Sequence, residues 1–327
     1  MSNKRIIYGL LFTLVIGCSV FIFLKIDTKK NTSPILEITY PEDNLRSDAK
    51  IEFGRQLFFD KRLSFTEKIA CSSCHLPQLA FTDGKKKSVG INGNHSMRNA
   101  STLFNVGFAP TFMADAHITS LEMQAIVPIQ DTNEMGMRMG ELIGKLRGIQ
   151  NYNEQSLQIF GRDFDAFVLT RSLAAFQRSL ISLDSPFDSY YQNGDESEIS
   201  AESIKGWKLF SEKFNCIVCH PPPFFTTFEA ENNGLTVDFQ EDFGRFRITK
   251  DSSDYGKFKI PTLRNISLTS PYLHDGSVEN LEQIIDLYSQ GGYFTVNQSD
   301  RIIPLDISRE EKKALISFLR SLTGSKK

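Results

Sequence analysis

Two pentapeptides carry the most reactive side chains of this 327-residue chain: Cys71-Ser72-Ser73-Cys74-His75 and Cys216-Ile217-Val218-Cys219-His220. Thiols three positions apart can each take one vinyl group of a porphyrin, and the adjacent histidine then reaches the iron from one side. Both copies therefore have the form of a c-type haem attachment site, with Cys71, Cys74, Cys216 and Cys219 as covalent anchors and His75 and His220 as iron ligands. Two haems in one chain point to redox chemistry. Other uses of the pattern fit less well. A zinc shared by the two cysteine pairs would have to span Cys74 to Cys216, far beyond zinc-ribbon spacing. A thioredoxin-like pair needs a strand before it, and neither copy has one. A chance match is plausible once, hardly twice.

The surroundings of the boxes repeat as well. Gly-x-x-Leu-Phe precedes each, as Gly54 to Phe58 and Gly206 to Phe210. Pro77 and Pro222 follow the histidines by two, with Phe81-Thr82 and Phe225-Thr226 just beyond. This is the signature of a duplicated cytochrome c unit. The expected organisation is an N-terminal segment over 1–30, a linker over 31–45, a first haem domain over 46–191 and a second over 192–327, divided at the polar stretch Gln192–Ser200. Apolar spacing predicts helices at 49–59, 119–127, 139–148 and 163–182, one opening at Ala201 behind the cap Ser200, and a last one from the capping box Ser308-x-x-Glu311. The fold expected is mainly α, with long loops and little sheet.

A hydrophobic content of 40% supports ordinary packed cores, and a net charge of -2 with no basic run outside the amino terminus excludes a nucleic-acid footprint. Lys4-Arg5 precedes the apolar run Ile6–Leu24, which is long enough to span a bilayer with the positive end in the cytoplasm. An uncleaved membrane anchor is favoured. A lipobox ending at Cys18, with an acylated cysteine, and a cleaved export signal remain open. Each places the haems outside the cytoplasm, in the periplasm. Four of the five cysteines are in the boxes, so no disulfide is expected in the body.

Of five histidines, His95, His117 and His274 remain once the boxes are served. The seven methionines all precede residue 140, so the second unit has none. Its haem must look to His274 or to a tyrosine, notably Tyr272, Tyr288 or Tyr293, for a further ligand. Tyrosinate favours oxidised iron and suits oxidising chemistry.

The segments Arg98–Asn105, Ser120–Ala125, Pro128-Ile129-Gln130 with Glu134-Met135, Phe258–Asn265 and Leu268–Gly276 resemble the bacterial di-haem cytochrome c peroxidases and the related enzyme MauG, over about residues 46–322. The resemblance implies a peroxide-reacting first haem, with His75 on one side and Gln124 and Glu134 on the other. Glu134 would be the acid–base group, because a carboxylate near the iron can take a proton from one peroxide oxygen and deliver it to the other. It implies a second, electron-transfer haem ligated by His220 and, as in MauG-like members, by Tyr288. It also implies a calcium ion on Asn99 and the carbonyls of Thr269 and Pro271, although Asn99 is equally at home as a turn residue and Tyr288 as helix packing.

Two departures matter. Where peroxidases that need reductive activation carry a blocking distal histidine, this chain has Ile91, so the first haem should be open without pre-reduction; His95 is a possible substitute ligand. Where the family places a tryptophan between its haems this chain has Ala114, and the sole tryptophan, Trp207, does not align. The expected function is a periplasmic peroxidase that reduces hydrogen peroxide to water with electrons from a small cytochrome c or copper protein. The alternatives are a MauG-like oxidase that modifies a partner protein through high-valent haem, and a two-haem electron carrier without catalysis.

Overall fold

The computed structural model describes residues 37–324, so the expected anchor over 1–30 lies outside the described residues. Among the described residues, no helix is long and apolar enough to cross a membrane. In chain order the helices are α1 (Asp48–Phe58), α2 (Leu121–Gln124), α3 (Ile126–Gln130), α4 (Met139–Arg147), α5 (Gln150–Phe160), α6 (Ala166–Arg178), α7 (Pro186–Asn193), α8 (Ala201–Lys208), α9 (Phe246–Thr249), α10 (Leu281–Ser289) and α11 (Arg309–Ser321). Two two-residue strands, β1 (Ala230–Glu231) and β2 (Phe258–Lys259), pair antiparallel. The architecture is mainly α, with two cytochrome c-like lobes.

The capping chemistry sets most helix starts. Ser47, Asp165, Ser200 and Asn280 each accept a hydrogen bond from the backbone N–H three residues on, and Ser308 and Glu311 close a reciprocal capping box. The helix anticipated across 119–127 is instead broken at Ala125, between α2 and α3. Pro128 accounts for the break, because it has no N–H to give the Gln124 carbonyl four residues back. The helix expected at 163–182 is confined to Ala166–Arg178 by its Asp165 cap. Helices α5 and α7 were not anticipated. In α5 only Tyr152 and Ser156 are buried, too few for an apolar stripe to show.

Two hydrophobic clusters hold the lobes. One centres on Phe53, Leu57, Phe58, Leu142, Phe164, Leu169 and Leu173, the other on Phe187, Phe210, Phe225, Leu315, Phe318 and Leu319. Each is built on one close helix crossing, α1 on α6 and α8 on α11, and a glycine lies at each crossing. A Cβ on Gly54 would sit 1.9 Å from the Ser172 carbonyl oxygen, and one on Gly206 would sit 2.0 Å from that of Ala314. The Gly-x-x-Leu-Phe repeat is thus the imprint of a repeated packing contact.

The loops repeat too. Asn105 and Asn265 both adopt left-handed backbone and both lead into a short 3-10 turn. Phe112 bridges to Ile118 as Tyr272 bridges to Val278. Glu122 pairs with Arg178 in the first lobe, as Glu282 approaches Arg320 at 3.9 Å in the second. The first of these pairs is buried, and Asn44 donates a further 2.9 Å hydrogen bond to Glu122. Together they hold its carboxyl down at about 2 against the cost of burial.

Helix propensity alone would have Gly54→Ala and Gly206→Ala stabilise their helices by about 1 kcal/mol. The crossings reverse the sign: each substitution should destabilise the folded protein by about 1–3 kcal/mol. Denaturant titration of both variants measures the change.

Candidate active site

Each haem box forms a tight 3-10 turn, Cys71–Ser73 and Cys216–Val218, from which the histidine N–H returns to the first cysteine carbonyl at 3.0 Å. This puts both thiols and the imidazole on one side of the chain. Nδ1 of His75 meets the Phe81 carbonyl at 2.8 Å, and Nδ1 of His220 meets the Phe225 carbonyl at 2.8 Å. A carbonyl can only accept, so Nδ1 carries the proton and Nε2 keeps the lone pair that a metal needs. Phe81 and Phe225 both have positive φ, 59° and 54°, which turns these carbonyls back onto the rings. Burial lowers both histidines, His220 to about 4, so each imidazole is neutral and ready to ligate.

Cys71, Cys74 and His75 line a cavity that is open to solvent at its mouth. Its walls are Phe58, Ile69, Leu103, Pro128, Met135 and Leu173, and its polar groups besides the box are Gln124, Glu134 and Gln177. An apolar slot with two thiols and one imidazole on its wall fits a covalently held porphyrin in lining and donor set. The two side chains expected opposite His75 are therefore in the same cavity as the box.

Glu134 follows α3 in a turn, its N–H donating to the Asp131 carbonyl at 3.0 Å. Burial, with the negative charge of Asp131 adding to it, raises its carboxyl to about 7. Gln124 ends α2 and directs its amide towards the Met113 sulfur at 3.7 Å. Ile91 is buried beside the turn and donates its N–H to the Glu134 carbonyl at 2.8 Å. His95 is exposed in that same loop and is not on the cavity wall.

Of the candidate ligands in the second lobe, the Tyr272 hydroxyl is taken by the Ile266 carbonyl at 2.9 Å, Tyr293 is 48% exposed, and His274 is stacked on the Phe258 ring at 3.8 Å. Tyr288 differs. Its hydroxyl is buried near Cys216 and Cys219, with only a long 3.5 Å contact from Asn233, and burial pushes it up to about 12. The internal repeat gives the reason. The step along the chain that carries Asn105 onto Asn265 and Leu121 onto Leu281 carries Pro128 onto Tyr288, and Pro128 lines the first cavity.

Asn99 donates its backbone N–H to the His274 carbonyl at 2.8 Å and its amide to the Lys85 carbonyl at 2.7 Å, which joins it to the loop that contains Thr269 and Pro271. Ala114 lies at the seam between lobes, where its carbonyl accepts from Lys259 N–H at 2.7 Å. Trp207 packs against Phe187, Phe210 and Phe318 in the second core. Sequence reasoning missed Lys259, whose ammonium donates to the Thr111 carbonyl at 3.2 Å and is lowered to about 8 by burial. It also missed the cluster in which Arg98 holds Asp242 at 2.7 Å and Asp115 at 3.0 Å. Arg98 and Lys259 stood in the motif segments, but their partners are distant in the chain.

Duplicated lobes with matched Cys-Cys-His turns and carbonyl-fixed imidazoles define a di-haem c-type cytochrome. Comparison with known proteins narrows the class. The di-haem cytochrome c peroxidase family matches residues 48–197. The chain is 33% identical to the methylamine utilization protein MauG of Methylorubrum extorquens, over 87% of this chain and 81% of that protein. It is 31% identical to the cytochrome-c peroxidase IdrP1 of a Pseudomonas species, over 91% and 87% respectively. A solved MauG-like protein associated with microbial copper homeostasis superposes with a TM-score of 0.81 at 33% identity, covering 89% of this chain and 93% of that one. The chain belongs to the di-haem cytochrome c peroxidase and MauG family, and it is an oxidoreductase.

Proposed function

We propose that this protein reduces hydrogen peroxide to water outside the cytoplasm, drawing electrons from a small cytochrome c or copper protein, and that it does so without reductive activation. The observation that carries this reading is the presence of Glu134 and Gln124 in the cavity of the first haem box, with Ile91 where a blocking histidine would stand. Cys71, Cys74 and His75 would hold the first haem, and Cys216, Cys219, His220 and Tyr288 the second. When bound, the haems supply the iron that receives peroxide and the two electrons that, with two protons, convert it to two waters.

The chain's own residues handle the protons. Glu134, poised near neutrality, takes the proton from one peroxide oxygen and passes it to the departing one. In this reading the Gln124 amide, which now makes only a long contact to the Met113 sulfur, donates a hydrogen bond to the substrate. Phe58, Leu103, Met135 and Leu173 keep bulk water from competing. A carboxyl that titrates near 7 is anionic only above that pH, so the base form is gained as pH rises.

Tyr288 and the MauG relatives favour a second reading, in which the oxidised haem pair acts on a side chain of a partner protein. A generic reduced cytochrome would then be a slow donor. Calcium would sit on Asn99 Oδ1, left free by the amide's bond to Lys85, with the Thr269 and Pro271 carbonyls.

Mixing the ferric protein with peroxide should change its Soret band at once, and a reduced cytochrome c or copper protein should then be oxidised in steady state. Glu134→Gln should slow the peroxide reaction by about 10²-fold. The wild-type rate should rise with pH through about 7, while the variant's profile stays flat. An unreactive ferric protein would end the open-site reading.

Tyr288→Phe should turn the ferric EPR signal of the second haem from six-coordinate to five-coordinate high-spin. An unchanged spectrum removes Tyr288 from the iron. Chelation of calcium should lower thermal stability and peroxide turnover together, both restored by calcium but not by sodium; indifference to the chelator excludes the ion.

A further inference from the structure

The loop over residues 88–96 is closed on itself and pressed onto the turn that carries Glu134. Gly90 N–H donates to the Asn94 carbonyl at 2.8 Å, Ser96 N–H to Ser88 at 2.9 Å, and Ser88 N–H to the Ser96 hydroxyl at 2.9 Å. Asn94 reaches across to the Thr132 carbonyl at 3.2 Å. At the corner Gly90 is extended, with φ -93° and ψ -154°, so its backbone is not strained; what it lacks is room. A Cβ there would lie 2.0 Å from the Asn133 carbonyl oxygen, 2.6 Å from that of Glu134 and 2.7 Å from the Glu134 Cα.

The next residue completes the contact. Ile91 is the first residue of a short 3-10 turn, a position whose N–H has no partner within the turn. That free donor is given to the Glu134 carbonyl at 2.8 Å. The Ile91 side chain fills the space over Gly136, where a Cβ would meet its Cδ1 at 2.3 Å. Phe65 N–H holds the Met135 carbonyl at 2.9 Å from the other side.

We infer that Gly90 and Ile91 are positioning residues for Glu134: this loop is a fixed strut that holds the carboxylate's backbone against the first haem cavity. The inference rests on the acid–base role proposed for Glu134. It gives the loop a task that a mobile, ligand-carrying segment cannot perform, because a loop bonded to Thr132 and Glu134 and packed on Asn133 cannot swing away without breaking those contacts. The occupant that benefits is the peroxide-sized substrate of that cavity.

Two substitutions break the strut in different ways. Gly90→Ala forces the 133–134 backbone aside. Ile91→Pro deletes the N–H, at a first-turn position that tolerates proline, and trades the side chain over Gly136 for a smaller ring, without pushing on the 133–134 backbone. Gly93→Ala serves as the control for loop strain: its φ of 78° makes alanine unfavourable there, but nothing lies within 4 Å of its would-be Cβ, so the substitution leaves the 133–134 contact itself untouched.

In the full chain with both haems loaded, both strut variants should slow the ferric reaction with peroxide by roughly 10-fold or more, as a misplacement of about 1 Å can. Both should also shift the midpoint of its pH profile, which a general loss of stability would not do. Hydrogen exchange at the Ile91 amide should be slow in the wild type and in Gly93→Ala, and fast in Gly90→Ala. If Gly90→Ala does not assemble, Ile91→Pro alone decides. Wild-type rates and pH midpoints in an assembled strut variant, alongside a slow Glu134→Gln, would overturn the strut. A wild-type rate in Glu134→Gln would instead overturn the acid–base reading on which it rests.

Discussion

A proximal histidine serves a haem only if its ring is held with one nitrogen bare, and in this protein that is done by a single main-chain carbonyl at each site. The 2.8 Å bonds from His75 to Phe81 and from His220 to Phe225 fix tautomer and ring plane together. Both carbonyls depend on a left-handed phenylalanine whose ring is buried in the core of its lobe. Phe81 packs edge-on to Phe58 and Phe104, and Phe225 to Phe187 and Phe210. Core packing therefore supports an unfavourable backbone angle, and that angle orients the ligand. The helix crossings at Gly54 and Gly206 support the same phenylalanines, since Phe58 ends α1 and Phe210 lies in the π-helical turn that directly continues α8.

Because both lobes solve the same problem in the same way, their differences are where function divides. Position by position, the first lobe has a helix broken by Pro128 and a turn bearing Glu134, whereas the second has the unbroken α10 with Tyr288. A proline ring leaves the far side of the cavity to a small substrate. A phenol at the matching place lies buried near Cys216 and Cys219. Tyr288 held at about 12 is neutral in the bare chain, and only the charge of a bound ferric iron would draw off its proton. Were Tyr288 to ligate an iron there, ligation and ionisation would be one event, while at the first site the carboxyl near 7 is free to change state without a metal bond.

Much of this was legible from local pattern. The boxes, the Gly-x-x-Leu-Phe repeat, the caps at Ser200 and Ser308 and the mainly helical class all follow from spacing, because each is decided within a few residues. The break at Ala125 was written in Pro128 but overridden in the reading by apolar periodicity. Contacts between distant segments were not legible. Nothing in Ser88–Ser96 announces that it leans on Glu134, and nothing near Lys259 names Ala114 or Thr111. Such pairings are set by how loops fold over the helix crossings, and a linear pattern does not carry that. The resemblance singled out Tyr288; what spacing did not carry is that Tyr272 is bonded to a carbonyl and Tyr293 exposed.

The seam between the lobes bears on which of the two enzymatic readings is better founded. Ala114 stands where the resemblance implies an indole, and its carbonyl accepts from Lys259 N–H; elsewhere the lobes meet through a Phe108–Phe224 ring pair at 4.6 Å and through Arg98 clasping Asp115 and Asp242. The charges in this cluster are paired, so the seam is held firmly: removing one partner of a buried pair costs about 3–5 kcal/mol. Firm geometry lets electrons cross in sequence, as peroxide turnover with an external donor requires. Sharing a long-lived oxidising charge between two irons asks for more, namely an easily oxidised bridge, and neither a phenyl ring nor an amide hydrogen bond provides one. The seam therefore favours turnover over storage, and with it the peroxidase over the protein-modifying oxidase, even though Tyr288 alone would tip the balance the other way.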